Sequence, residues 1–169
     1  MRRKWKIRRG FLKIHIAVDV KQKKILALKV TDEKTGDGGM LQPLVKEASK
    51  KGKVTRAIGD GAYDTISNFR YLDAKGIKPA IKVHKNTSSR AGGCIPRKLV
   101  AQEYLSNPEA WRRNHGYGQR WTAETAFSSL KRTFGEYVSA RNMRNMANEM
   151  MIKVSLYNML IGTTTATQG

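Results

Sequence analysis

The sequence predicts an α/β fold, a mixed sheet with helices on its faces. Three observations carry that expectation. Residues 11–31 alternate like two strands joined by a polar turn. Two later apolar segments, 54–59 and 78–84, are separated by a stretch with helical spacing. Residues 98–169 then show three- and four-residue apolar periodicity.

The elements follow in order. In 11–20, Leu12, Ile14, Ile16, Val18 and Val20 fall on one face and Lys13, His15 and Asp19 on the other. KQKK is a turn, and 24–31 returns as the second strand of a hairpin. GDGG at 36–39 breaks the pattern. Leu41, Leu44, Val45 and Ala48 are spaced for a helix over 40–50. The strand over 54–59 ends at Asp60-Gly61. Asp64 or Thr65 then caps a helix running to about Lys75, and Gly76 stops it. After the strand at 78–84, residues 85–97 read as a Gly-, Ser- and Pro-bearing loop. Helices are expected over 98–114, 117–134 and 142–161. The last is amphipathic, with Met143, Met146, Met150, Met151, Val154 and Tyr157 packing onto the core. The chain thus reads as one domain, with a basic arm (1–10), a sheet-containing part (11–84), a loop (85–97) and a helical part (98–169).

Composition excludes several classes. Lys and Arg number 33 against 13 Asp and Glu, a net charge of +20, and the apolar fraction of 40% is too high for a disordered basic tail. No apolar run approaches the ~18 residues of a membrane span. The N-terminal segment lacks a signal peptide's uninterrupted apolar core and cleavage site. A single cysteine, Cys94, permits no internal disulfide and fits a reducing cytoplasm. His15, His84, Cys94 and His115 lack zinc-site spacing. The charge points to a polyanion, most commonly nucleic acid.

Scarce acids mark the candidate chemistry. Asp60 closes a short apolar strand, the end of an α/β sheet where ligands gather. On a helical wheel, Tyr117, Arg120, Glu124 and Lys131 form a stripe beside a buried arc of Ala123, Ala126, Phe127, Leu130 and Phe134. That stripe reads equally as an ordinary solvated face, and Asp60-Gly61 as a simple turn.

The spacing Tyr117-x2-Arg120-x3-Glu124-x6-Lys131 resembles the Y-x2-R-x3-E-x6-K signature of DDE transposases related to insertion sequences 4 and 5. AIGDGAYDT (57–65) resembles that family's second-Asp motif, and FLKIHIAVDVKQKKILALKVTDEKTGD its first hairpin. The resemblance implies a ribonuclease H-like mixed sheet flanked by helices. It makes Asp60 and Glu124 carboxylate ligands of two divalent cations, Mg²⁺ or Mn²⁺, about 3.5–4 Å apart. Tyr117, Arg120 and Lys131 would contact phosphates, with Trp121 either stacking on a displaced base or packing in the core. Arg2, Arg3, Lys4, Arg8 and Arg9 would form a DNA-backbone arm. The implied partners are transposon terminal inverted repeats and target DNA, bound as a homodimer by a nucleoid-associated prokaryotic protein.

A DDE site needs a third carboxylate. In the family it lies on a central first strand upstream of the basic segment, and the match begins at that segment. Asp19 ends a strand pointing away from Asp60, while Asp37 is a surrogate nearer the right end. The expectation is a transposase catalytic portion that binds DNA without completing strand transfer alone. A basic nucleic-acid-binding module and a ribonuclease H-like nuclease are the alternatives.

Overall fold

The computed structural model describes residues 4–7, 10–84, 87 and 93–166. Its elements, in chain order, are β1 (Lys4–Ile7), β2 (Gly10–Val18), β3 (Ile25–Asp32), α1 (Leu41–Ser49), β4 (Arg56–Gly59), α2 (Ile66–Ala74), β5 (Lys78–Ile81), α3 (Ile95–Ser106), α4 (Pro108–Asn114), α5 (Trp121–Phe134) and α6 (Met143–Ala166). Three 3₁₀ turns occupy Gly38–Met40, Gly61–Tyr63 and Tyr117–Arg120. The chain divides into two compact units. One comprises Met1–Thr35 with Trp121–Gly169, the other Gly36–Arg120.

In the first unit, β1, β2 and β3 form an antiparallel sheet in that order, with His15 opposite Lys29 and Ile16 opposite Leu28. Asp19 makes the β2–β3 turn, its Oδ1 accepting from the N–H groups of Lys21 (2.7 Å) and Gln22 (2.9 Å). Lys23 takes φ 58° to close it. Alternation delivers Leu12, Ile14 and Ile25 into a core with Ala126, Phe127 and Leu130 of α5 and Met146, Met150, Val154 and Tyr157 of α6. Asn158 ties α6 to the sheet. Its Oδ1 accepts from Ile25 N–H at 2.8 Å and its Nδ2 donates to Ile25 C=O at 2.9 Å.

In the second unit, β4 and β5 pair in parallel, Arg56 opposite Lys78 and Gly59 opposite Ile81. Parallel neighbours require a crossover, here α2. Phe69 and Leu72 of α2 pack with Leu41, Val45, Ile77, Ile81, Val83, Val100 and Trp111 in a second core. Among the described residues, no helix is long and apolar enough to cross a membrane.

Several expectations change. The strands make two small sheets rather than one mixed sheet. A short strand, Lys4–Ile7, occupies part of the expected basic arm. β4 and β5 are shorter than the apolar segments containing them. The helix expected over 98–114 breaks at Asn107, whose extended backbone ends α3 and whose Oδ1 caps α4 through Ala110 N–H at 2.9 Å. Pro108 follows as the first residue of α4. The helix expected over 117–134 is a 3₁₀ turn followed by α5. His15, placed by alternation on the polar face, is buried, with Nε2 2.9 Å from Thr31 Oγ1.

Candidate functional site

Asp60 lies immediately beyond β4. Its extended backbone begins the Gly61–Tyr63 turn, and its Oδ1 accepts from Ala62 N–H at 3.1 Å. Small residues let this turn close. A Cβ on Gly59 would stand 2.9 Å from the Tyr63 ring.

Asp64 sits at the end of the same turn and does not cap α2. That role belongs to Thr65, whose Oγ1 accepts from Asn68 N–H at 3.2 Å. The Asp64 carboxylate is fully buried instead. Arg97 grips it through Nε–Oδ1 at 2.7 Å and Nη2–Oδ2 at 3.0 Å, and His84 N–H donates to Oδ2 at 3.0 Å. Burial pushes this carboxyl up; the Arg97 and His84 bonds outweigh it and hold the group below its ordinary value. Asp64 thereby joins the turn after Asp60 to the end of β5 and to α3.

Asn68, also buried, adds a second tie. Its Nδ2 donates to Gly38 C=O at 2.8 Å and Tyr63 C=O at 3.1 Å. The turns that follow Asp37 and Asp60 are thus stapled together. A Cβ on Gly38 would meet Ala62 C=O at 3.0 Å.

Tyr117 and Arg120 reach the same unit from the 117–120 turn. Arg56, on β4, donates from Nη1 to His115 C=O at 2.9 Å and from Nη2 to Gln119 Oε1 at 3.1 Å, fixing that turn. Gly116 precedes it at φ 59°, and a Cβ there would stand 2.9 Å from Arg56 Nη1. Tyr117 packs on Trp111 (centroids 5.2 Å), and the Arg120 guanidinium carbon lies 6.0 Å from the Tyr117 ring centre. Trp111 also stacks on His115, whose Nε2 is 2.7 Å from Glu103 Oε2. Burial raises the Tyr117 phenol; Arg120 pulls it down and the Asp60 carboxylate pushes it up. Arg120 and Asp60 thus both act on the Tyr117 phenol.

Glu124 and Lys131 belong to the other unit. Glu124 is half-buried in the first turn of α5, where a helix favours an anion. The Lys131 Nζ is 3.2 Å from Glu136 Oε1 and 5.6 Å from the Phe127 ring centre. The wheel stripe therefore holds for Glu124 and Lys131, while Tyr117 and Arg120 leave it because the chain before Trp121 is not α-helical. Trp121, for which core packing was one expectation, is 55% exposed. Lys4 lies on β1; Arg2, Arg3, Arg8 and Arg9 lie outside the described residues.

Among the described residues, no three His, Cys, Asp or Glu side chains converge to hold a metal.

Arg56, Asn68 and Arg97 escaped the sequence reading. Asn68 carried a weak signal, an amide beside Phe69 on the apolar side of α2. Arg97, 33 positions from Asp64, carried none.

No solved structure matches the chain. The family model of the transposase DDE domain matches residues 2–159, nearly the whole sequence. That match places the chain in the DDE transposase family.

Proposed function

We propose that this chain is the catalytic portion of a transposase related to insertion sequences 4 and 5, engaging the terminal inverted repeats of its element. The reading rests chiefly on the family match over residues 2–159, with Asp60 immediately beyond β4 as the candidate acid. A phosphodiester site combines cationic side chains, which neutralise phosphate oxygens, with acids that hold a metal.

In this reading Asp60 and Glu124 are two of the carboxylates that would hold divalent cations, Mg²⁺ or Mn²⁺. When bound, such ions supply Lewis-acid stabilisation of the phosphodiester. Arg120 offers a planar fork suited to bidentate phosphate contact, and Lys131 a point charge. Tyr117 orients a phosphate oxygen through its hydroxyl. Exposed Trp121 offers a stacking surface for an unpaired base. Arg2, Arg3, Lys4, Arg8 and Arg9 extend the basic surface along the backbone, and the DNA complex is a homodimer.

The ribonuclease H-like plan adds a strand bearing the first Asp beside the strand of Asp60. Among the described residues β4 pairs only with β5, so one of its edges has no strand partner. Asp37 precedes the turn that Asn68 ties to the turn after Asp60, and is a minor candidate to replace that Asp within this chain.

The test is fluorescence anisotropy on terminal-repeat DNA across a salt series, with a Mg²⁺-dependent cleavage assay. Affinity should fall by about 10³ between 50 and 200 mM salt if roughly six phosphates are contacted. An affinity indifferent to salt would count against the DNA reading. Mg²⁺-dependent cutting that survives Glu124→Gln undiminished would overturn the carboxylate's assignment.

A further inference from the structure

β4 and β5 run parallel, so the chain leaves both at the same edge of their sheet. Gly59 lies opposite Ile81, and Lys82 N–H donates to Gly59 C=O at 3.2 Å. Asp60 lies beyond the end of one strand and His84 beyond the end of the other. Ligands of α/β sheets gather beyond such carboxyl ends. Gly61 links the two residues. A Cβ built on it would stand 3.6 Å from both Nδ1 and Cε1 of His84. The imidazole therefore lies against the residue next to Asp60, and Nε2 is the nitrogen farther from that turn.

The main chain of His84 is anchored while its side chain is exposed. Its N–H donates to Oδ2 of buried Asp64 at 3.0 Å, and its C=O accepts from Thr87 N–H at 3.0 Å. Arg97, which grips Asp64, also donates from Nη2 to Thr87 Oγ1 at 3.3 Å. Among the described residues, no hydrogen bond is made to the His84 ring. The other two histidines are committed. His15 is buried with Nε2 2.9 Å from Thr31 Oγ1, and His115 stacks on Trp111 with Nε2 2.7 Å from Glu103 Oε2. An exposed histidine with a solvent role alone needs no anchoring by a buried ion pair.

We propose that His84 is a further DNA-contacting residue, donating from Nε2 to a phosphate oxygen of the strand held at Asp60. The inference rests on the reading of Asp60 as a site acid. Chemistry selects the ligand. Imidazole offers an N–H donor in either protonation state, which suits an anionic oxygen, whereas a hard divalent cation prefers the neighbouring carboxylate. The contact is directional. A generally basic surface attracts any phosphate, but a ring fixed beside Gly61 selects the one that sits next to Asp60.

The experiment measures anisotropy on terminal-repeat duplexes in which one linkage at a time is an uncharged methylphosphonate, without divalent cation. On the unmodified duplex, His84→Ala should weaken binding about tenfold, the loss of one hydrogen bond to a charged group. His84→Gln, whose amide N–H reaches the place of Nε2, should restore most of it. Neither change should move the melting curve, since the side chain is exposed. Neutralising one linkage at the cleaved end of the repeat should weaken wild type and leave His84→Ala unaffected. A merely structural role would give both proteins the same loss. Diethyl pyrocarbonate should modify His84 ahead of His15 and His115, and the duplex should protect it. The proposal is overturned by full affinity in His84→Ala, by a glutamine variant no better than alanine, by equal losses at every linkage, by coupling only at linkages away from the cleaved end, or by modification that DNA does not slow. Affinity indifferent to salt would remove the DNA reading and this proposal with it. Steep salt dependence with an indifferent His84 would overturn this proposal alone.

Discussion

Replacing Asp64 by Asn tests whether the turn after Asp60 is held by a buried ion pair. The wild-type carboxylate has no solvent exposure and takes two bonds from Arg97 and one from His84 N–H. Asn keeps one acceptor oxygen but removes the charge, leaving Arg97 opposite a neutral group. Breaking a buried pair from one side costs about 3–5 kcal/mol. The Arg97 side chain is 21% exposed and so partly rehydrated, which places the expected loss at the lower end, about 3 kcal/mol. The loss depends on pH in a fixed sense. The folded carboxyl lies below its ordinary value, so its contribution is complete above the unfolded value of about 4 and disappears as pH falls through the folded value. The assay is urea denaturation at a series of pH values, followed by the emission of Trp111, which is buried in the same unit. The variant should be less stable by about 3 kcal/mol at pH 7; the gap should begin to close below pH about 4 and vanish only once pH has fallen past the lower folded value. Equal stability at pH 7, or a difference that persists undiminished to the acid limit, would refute the ion-pair account.

Asn158→Ala should cost about 2–3 kcal/mol in urea denaturation followed by far-ultraviolet circular dichroism, because it strips partners from both the N–H and C=O of buried Ile25; Asn158→Asp, which keeps the acceptor alone, should fall between. Gly116→Ala should cost about 1–2 kcal/mol, since it combines positive φ with a Cβ pressed on Arg56, and should weaken DNA binding by loosening the 117–120 turn. Gly118→Ala, with open space and no positive φ, is the matched control and should be near neutral.

What was legible in the sequence was whatever local periodicity determines. The β2–β3 hairpin follows from strict alternation between Leu12 and Val18, and α2 stops at Gly76, which takes φ 65°. The core face of α6 is readable from Met146, Met150, Val154 and Tyr157. Periodicity failed where two solutions share a spacing. Tyr117 and Arg120 fit a helical stripe with Glu124 on paper, yet Gly116 and the Arg56 grip commit residues 117–120 to a 3₁₀ turn. Asp64 suits an N-cap by composition, but its role is decided by Arg97, which no local pattern connects to it. Within the site, Asp60 was found because strand ends in α/β folds are informative. Arg56 and Asn68 were missed because their work is to hold backbone that lies far away in sequence.

The charge that first suggested a polyanion partner is spread almost evenly, with 17 basic and 6 acidic residues in one unit and 16 and 7 in the other. If phosphate contacts from both units hold DNA, counterion release should weaken binding steeply as salt rises. Arg120→Gln and Lys131→Gln, one from each unit, should then each reduce the slope of log affinity against log salt by about 1. A slope unchanged by either substitution would remove that residue from the phosphate contacts, whatever the charge of its unit.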